Sequence, residues 1–104
     1  MPSSYFVKDR KCYRKEGNST TQVGKSDAVH VSQGIYDGKE SYAITYKDGK
    51  VVLTEGHTTV EVSYGSKLGT LITETRFQDN GIVLKWDNGK MYFKNRSGGK
   101  EFKG

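Results

Sequence analysis

The chain has little of what usually betrays a chemistry. Its 104 residues include one cysteine, Cys12, one proline, Pro2, and two histidines, His30 and His57. A lone cysteine excludes an internal disulfide and fits a reducing compartment, so a cytoplasmic protein is the expectation. A metal site needs three or four converging ligands, and one Cys with two His supplies no ligand spacing. No metal and no cofactor are expected. No apolar run approaches the roughly 18 residues of a membrane span, so no membrane role is expected. The opening MPSSYFVKDRKCYRK has no apolar stretch of signal-peptide length. Without an export signal, the glycosylation-type triplets Asn18-Ser19-Thr20 and Asn95-Arg96-Ser97 read as chance. No apolar residues recur at i, i+3, i+4 over a length that would make a covering helix. The glycines are spaced by strands and form neither a GxGxxG nor a Walker loop.

Catalytic readings find equally little. Cys12 sits among Arg10, Lys11, Arg14 and Lys15, and positive neighbours lower a thiol pKa. No triad context accompanies it, so a spectator thiol is expected. His57 falls in a tight turn and His30 mid-strand on an outer face two strands away; an acid/base pair is conceivable, but two solvent-facing histidines are the expectation. The expectation is a binding module and not an enzyme.

What is present is β-like. Thirteen Gly, seven Tyr and regular alternation suggest a single turn-rich domain with a small core. Between residues 28 and 94 lie Asp37-Gly38, Asp48-Gly49, Gly56-His57, Asn80-Gly81 and Asn88-Gly89, each fit for a two-residue hairpin turn. Such turns fix register. They set Val31 against Ile44, Tyr46 against Val51, Leu53 against Val60, Phe77 against Leu84 and Trp86 against Met91. A four-residue loop, Ser66 to Gly69, then sets Tyr64 against Leu71. One partition follows. The inner face carries Val29, Val31, Gln33, Tyr42, Ile44, Tyr46, Val51, Leu53, Glu55, Val60, Val62, Tyr64, Leu71, Thr73, Thr75, Phe77, Ile82, Leu84, Trp86, Met91 and Phe93. The outer face carries His30, Ile72, Glu74, Arg76, Val83, Lys85, Lys90, Tyr92 and Lys94.

The predicted fold is therefore all-β: a small antiparallel up-and-down meander of seven or eight short strands, closed or nearly closed into a barrel. Residues 27–95 form the meander. Residues 1–15 are a basic segment whose stretch 4–14 supplies a closing eighth strand, residues 16–26 a loop, and residues 96–104 a flexible tail.

Charge is uneven. Residues 1–15 hold five cations against one carboxylate and residues 85–104 six against two, while the middle holds nine carboxylates against six cations. A closing N-terminal strand would bring the two basic ends together. Arg10, Lys11, Tyr13, Arg14, Arg76, Lys85, Lys90, Tyr92 and Lys94 are the candidate partner-binding residues. Cations pair phosphates and interleaved rings stack bases, so nucleic acid is the first candidate partner. A protein partner is the alternative, with the chain acting as a small interaction or inhibitor protein of the accessory kind that viruses and bacteria make. A small ligand held inside the barrel near Thr73 and Thr75 is the third reading. The bland alternative for the basic face is a solvated surface whose lysines guard strand edges. An open sheet would pair through an edge or face, so both monomer and homodimer are in play.

Overall fold

A computed structural model describes residues 3–103; Met1 and Pro2 of the predicted N-terminal segment and Gly104 of the predicted tail lie outside the described residues. Every element among them is a β-strand, and the strands form three antiparallel sheets. The first sheet contains β1 (Ser4–Lys8), β2 (Lys11–Glu16) and β3 (Ser19–Val23). The second is a meander of β4 (Ala28–Tyr36), β5 (Lys39–Tyr46), β6 (Val51–Glu55) and β7 (Thr58–Glu61). The third is a meander of β8 (Ile72–Gln78), β9 (Gly81–Trp86), β10 (Met91–Asn95) and β11 (Gly98–Phe102).

No sheet closes into a barrel. The middle sheet is buried on both faces instead. Along β5, Ala43 and Thr45 are sealed on one side, and Ile44 and Tyr46 on the other. Successive strand residues point to opposite faces, so the middle sheet has two cores. Ala43, Val51 and Leu53 pack with Ile72, Ile82, Leu84 and Trp86 of the third sheet. Ile44, Tyr46 and Ala28 pack with Cys12, Val7 and Val23 of the first. Burying a sheet between two others solves the coverage problem that closure was expected to solve.

The two four-stranded sheets share one plan. Each runs through a two-residue turn, a three-residue loop and a second two-residue turn. The first turns are Asp37-Gly38 and Asp79-Asn80, all four residues with φ between 50° and 77°, the type I′ requirement. The loops are Lys47-Asp48-Gly49 and Asp87-Asn88-Gly89. In both, the glycine N–H donates to the preceding aromatic residue's carbonyl, Tyr46 or Trp86, at 2.9 and 3.0 Å. In both, the residue after the glycine donates its N–H to the side-chain oxygen of Asp48 or Asn88 at 3.0 Å. Gly49 and Gly89 each have φ of 89°, the position that closes a three-residue loop with a bulge. The two meanders meet where their first turns touch: Asp37 N–H donates to the Asn80 carbonyl at 3.0 Å. Along β4 and β8 the sheets are so close that a Cβ on Gly34 would lie 2.5 Å from Phe77 Cβ.

These loops correct the predicted register. Asp48-Gly49 and Asn88-Gly89 were expected as two-residue turns. With three residues, Thr45 pairs with Val51 and Tyr92 with Leu84. A one-residue slip exchanges faces. Tyr92 therefore turns inward and is buried, and Met91 and Phe93 turn outward. Around Asp79-Asn80 the slip is two residues, so Phe77 faces Ile82 and the faces are kept until an irregularity at Thr73 brings Ile72 inward. Strands β7 and β8 belong to different sheets, so Tyr64 does not pair with Leu71; Tyr64 instead meets the Trp86 ring edge-on at 5.3 Å. Val31 against Ile44 and Leu53 against Val60 stand as expected.

The predicted loop at 16–26 contains β3, made by a turn at Gly17-Asn18, and residues 98–102 of the predicted tail pair with β10 as β11. Strand β1 pairs with β2 rather than closing the meander. The first sheet is fastened by Tyr5 stacked on Tyr42 at 4.2 Å, by the Ala28 N–H donating to the Arg10 carbonyl at 3.0 Å, and by Gln33 donating to the Ser3 carbonyl at 2.8 Å.

Candidate functional site

The first and third sheets lie on opposite faces of the middle one. The basic ends therefore do not meet, and the nine candidate residues divide among separate regions. Arg10 pairs with Asp27 at 3.3 Å and Arg14 with Glu16 at 2.9 Å. Lys85 pairs with Glu74 at 3.2 Å. Arg76 donates to Gln78 and lies over the Phe102 ring, 5.5 Å from its centre. Lys90 is exposed beside a loop, and Lys94 lines a groove between the two meanders. Tyr92 is buried against Gly99, whose Cβ would meet its ring, and is removed as a contact residue.

Lys11 and Tyr13 remain, and the structure gives them company. Pairing across β1 and β2 sets Lys8 opposite Lys11, Phe6 opposite Tyr13 and Ser4 opposite Lys15. The alternate residues Val7 and Cys12 face the core, so these six side chains share the outer face. The Phe6 and Tyr13 rings stack at 5.4 Å and 26°. Phe6 is 37% exposed, unusual for phenylalanine on a sheet with a core to fill. On β3, Gln22 lies opposite Tyr13 and Thr20 opposite Lys15, adding polar groups along one edge of the ring pair.

The electrostatics of this face are one-sided. Among the described residues, Lys8, Lys11 and Lys15 make no ion pair, and no strand residue facing outward here is acidic. Like charges directly opposite across an antiparallel pair destabilise it, and Lys8 and Lys11 are such a pair. Two stacked rings bracketed by cations can take a planar group on the rings and anionic groups at either end.

Phe6 was missed as a site residue, and Lys8 and Lys15 were expected only as part of the basic run 8–15. The signal was there: in Lys11-Cys12-Tyr13-Arg14-Lys15, period two separates Lys11, Tyr13 and Lys15 from Cys12 and Arg14.

Elsewhere the chemistry is muted. Cys12 is fully buried, and burial pushes its thiol pKa up to about 11, opposite to what its basic neighbours suggest. His30 does not face solvent; its Nε2 lies 3.1 Å from the Thr75 carbonyl between the sheets. Thr75 is further held by Ser32 at 2.6 Å, Thr73 sits exposed at the β8 irregularity, and Glu55 is clasped by Arg96 at 2.9 and 3.0 Å. Trp86, Ile82 and Leu84 are buried between the meanders. No group of three or more His, Cys, Asp or Glu among the described residues is placed to hold a metal ion, and no described helix could cross a membrane. A scan against protein-family models found no match, and a search of curated proteins found no matching sequence.

Proposed function

We propose that this protein is a non-enzymatic binding module that holds single-stranded nucleic acid on the outer face of β1–β3. The observation that carries the reading is the stacked Phe6–Tyr13 pair bracketed by Lys8, Lys11 and Lys15, which make no ion pair among the described residues. Bases stack on aromatic rings irrespective of sequence, and lysines neutralise the phosphates on either side. Bases in a duplex are already stacked on one another, so exposed rings favour single strands. An anion near Lys8 and Lys11 would also relieve their mutual repulsion.

Fluorescence anisotropy with labelled single-stranded DNA, single-stranded RNA and duplex DNA tests this. Phe6→Ala and Tyr13→Ala should each weaken single-strand binding by roughly 5- to 150-fold, the equivalent of about 1–3 kcal/mol per stacked base. With three lysines on phosphates, log K should fall against log salt with a slope of about −2. No binding at low salt, or binding indifferent to both ring deletions, refutes the reading.

A second reading, docking on another protein, is favoured by the open side of the two meanders. There β7 is an edge strand with no second neighbour, and Val60 is 47% exposed over a groove of about 480 Å³ reaching Lys39, Lys94 and Arg96. An extended segment could add to such an edge through main-chain hydrogen bonds. The N–H of Glu61 faces that open edge, so co-purification of one stoichiometric protein whose binding is lost on Glu61→Pro would favour this reading over the first.

A further inference from the structure

We infer that the outer face of the third sheet is a second nucleic-acid surface, so that one molecule holds two strands at once and bridges them. This rests on the reading of the first sheet given above. The three-residue loop at Asp87-Asn88-Gly89 turns Met91 and Phe93 outward, and pairing sets Phe93 opposite Lys100 and Met91 opposite Phe102. The Phe93 and Phe102 rings lie 6.4 Å apart, with the Arg76 guanidinium over Phe102. Beside them is a recess of about 180 Å³ with Val83 and Met91 in its lining and Arg76 and Lys85 at its sides. Val83 is only 1% exposed although it points away from the core, because these side chains lie over it.

The composition repeats the aromatic pair and three cations of the first sheet and adds an apolar floor of Val83 and Met91. Arginine planes and aromatic rings both stack bases. Only Glu74 opposes the charge, in an exposed pair with Lys85 at 3.2 Å. Such pairs contribute little, so exchanging the carboxylate for a phosphate costs little. The occupant is committed by charge: Arg76, Lys85 and Lys100 against one carboxylate suit a polyanion. The two surfaces belong to the two outer sheets, one on each face of the middle sheet, so a strand on one leaves the other open.

The test uses the full chain with two non-complementary thymidine oligomers, one carrying a fluorescence donor and the other an acceptor, at low salt. Energy transfer should appear on adding protein and vanish in excess protein, as each strand finds its own molecule. Arg76→Glu with Lys100→Glu should abolish transfer while leaving the affinity for one strand within about twofold. The milder Arg76→Gln with Lys100→Gln should reduce transfer in the same direction. Phe6→Ala with Tyr13→Ala should remove transfer by weakening the first surface. Sedimentation should find one protein with two strands. A saturated complex of one protein and one strand, a protein dimer carrying one strand per protomer, or transfer unchanged in both third-sheet variants overturns the inference and leaves the first surface standing. Failure of the wild-type protein to bind any strand removes both.

Discussion

The contact between Gly34 and Phe77 can be turned into a measurement of how the sheets pack. Gly34 has an ordinary strand φ, so alanine there meets no backbone strain. Its Cβ would nevertheless lie 2.5 Å from Phe77 Cβ and 3.0 Å from Cγ, which are not the free end of a flexible chain. Relief needs β4 and β8 to part. Overpacking of this kind costs about 1–3 kcal/mol. At about 4–8 °C per kcal/mol for a domain near this size, Gly34→Ala should lower Tm by roughly 4–24 °C. Gly38→Ala is the control: nothing lies within 4 Å of its Cβ, and its φ of +77° costs about 1–2 kcal/mol that no change at Phe77 relieves. The decisive comparison is a double-mutant cycle by urea denaturation. Phe77→Gly alone destabilises by removing a ring from the core edge and placing glycine in a strand, but because it removes the Cβ as well as the ring, Gly34→Ala should become nearly neutral in its presence. The coupling should then be about 1–3 kcal/mol in the relieving direction. Additive costs would mean that β4 and β8 do not touch here, and the face-to-face packing of the meanders would be wrong.

Other expectations follow from single sites. Trp86, 1% exposed and against Tyr64 and Ile72, should cost about 3–5 kcal/mol as Trp86→Ala; an unchanged Tm would place it outside the core. Thr45 is fully buried and its Oγ1 has no hydrogen-bond partner among the described residues, so Thr45→Val should be neutral or stabilising by about 1 kcal/mol, and clear destabilisation would reveal an unseen partner. The Cys12 thiol is raised to about 11 in the folded protein from an ordinary 9.0, chiefly by burial. The folded state therefore holds this proton more tightly, and its share of stability is full below about pH 9 and lost as pH rises towards 11. Native Cys12 should accordingly resist iodoacetamide at pH 8 and react on unfolding in urea; rapid native alkylation would contradict its burial.

Strand existence was largely legible in the sequence, because period-two alternation and Asp-Gly or Asn-Gly pairs are local signals. Val31 against Ile44 follows from a true two-residue turn at Asp37-Gly38. What misled was the number of residues in a loop. Asp48-Gly49 and Asn88-Gly89 have the letters of a type I′ turn, yet each sits in a three-residue loop closed by a side-chain acceptor two residues before the donating N–H. The clue lay in β5, where Ser41, Ala43 and Thr45 alternate with Tyr42, Ile44 and Tyr46: small residues on one side and large on the other suit a strand buried on both faces. The turn Asp9-Arg10 was harder to see. Arg10 adopts φ of 64° without being Gly or Asn, and its chain is held by Asp27 and by the Ala28 N–H, contacts remote in sequence. Missing that turn made the first sheet read as one strand and a loop, which concealed the alignment of Phe6 with Tyr13.

The extra loop residue also shapes the surface. Had Asn88-Gly89 been a two-residue turn, Met91 and Phe93 would face the core and Tyr92 and Lys94 would face solvent, leaving one isolated ring among lysines. With three residues, Tyr92 is buried over Gly99 and its neighbours are everted beside Phe102, Arg76 and Lys85. The apolar floor on the outside of the third sheet is thus a consequence of loop geometry, not of a surplus of hydrophobic residues. Deleting Lys90, which would keep the three-residue loop and bring Met91 opposite Trp86 in its place, should reverse β10 and β11. The deletion would bury Phe93, expose Tyr92 and break the Phe93–Phe102 pair. Loss of strand bridging by this deletion, with single-strand binding on β1–β3 retained, would tie the second surface to the register that follows this loop.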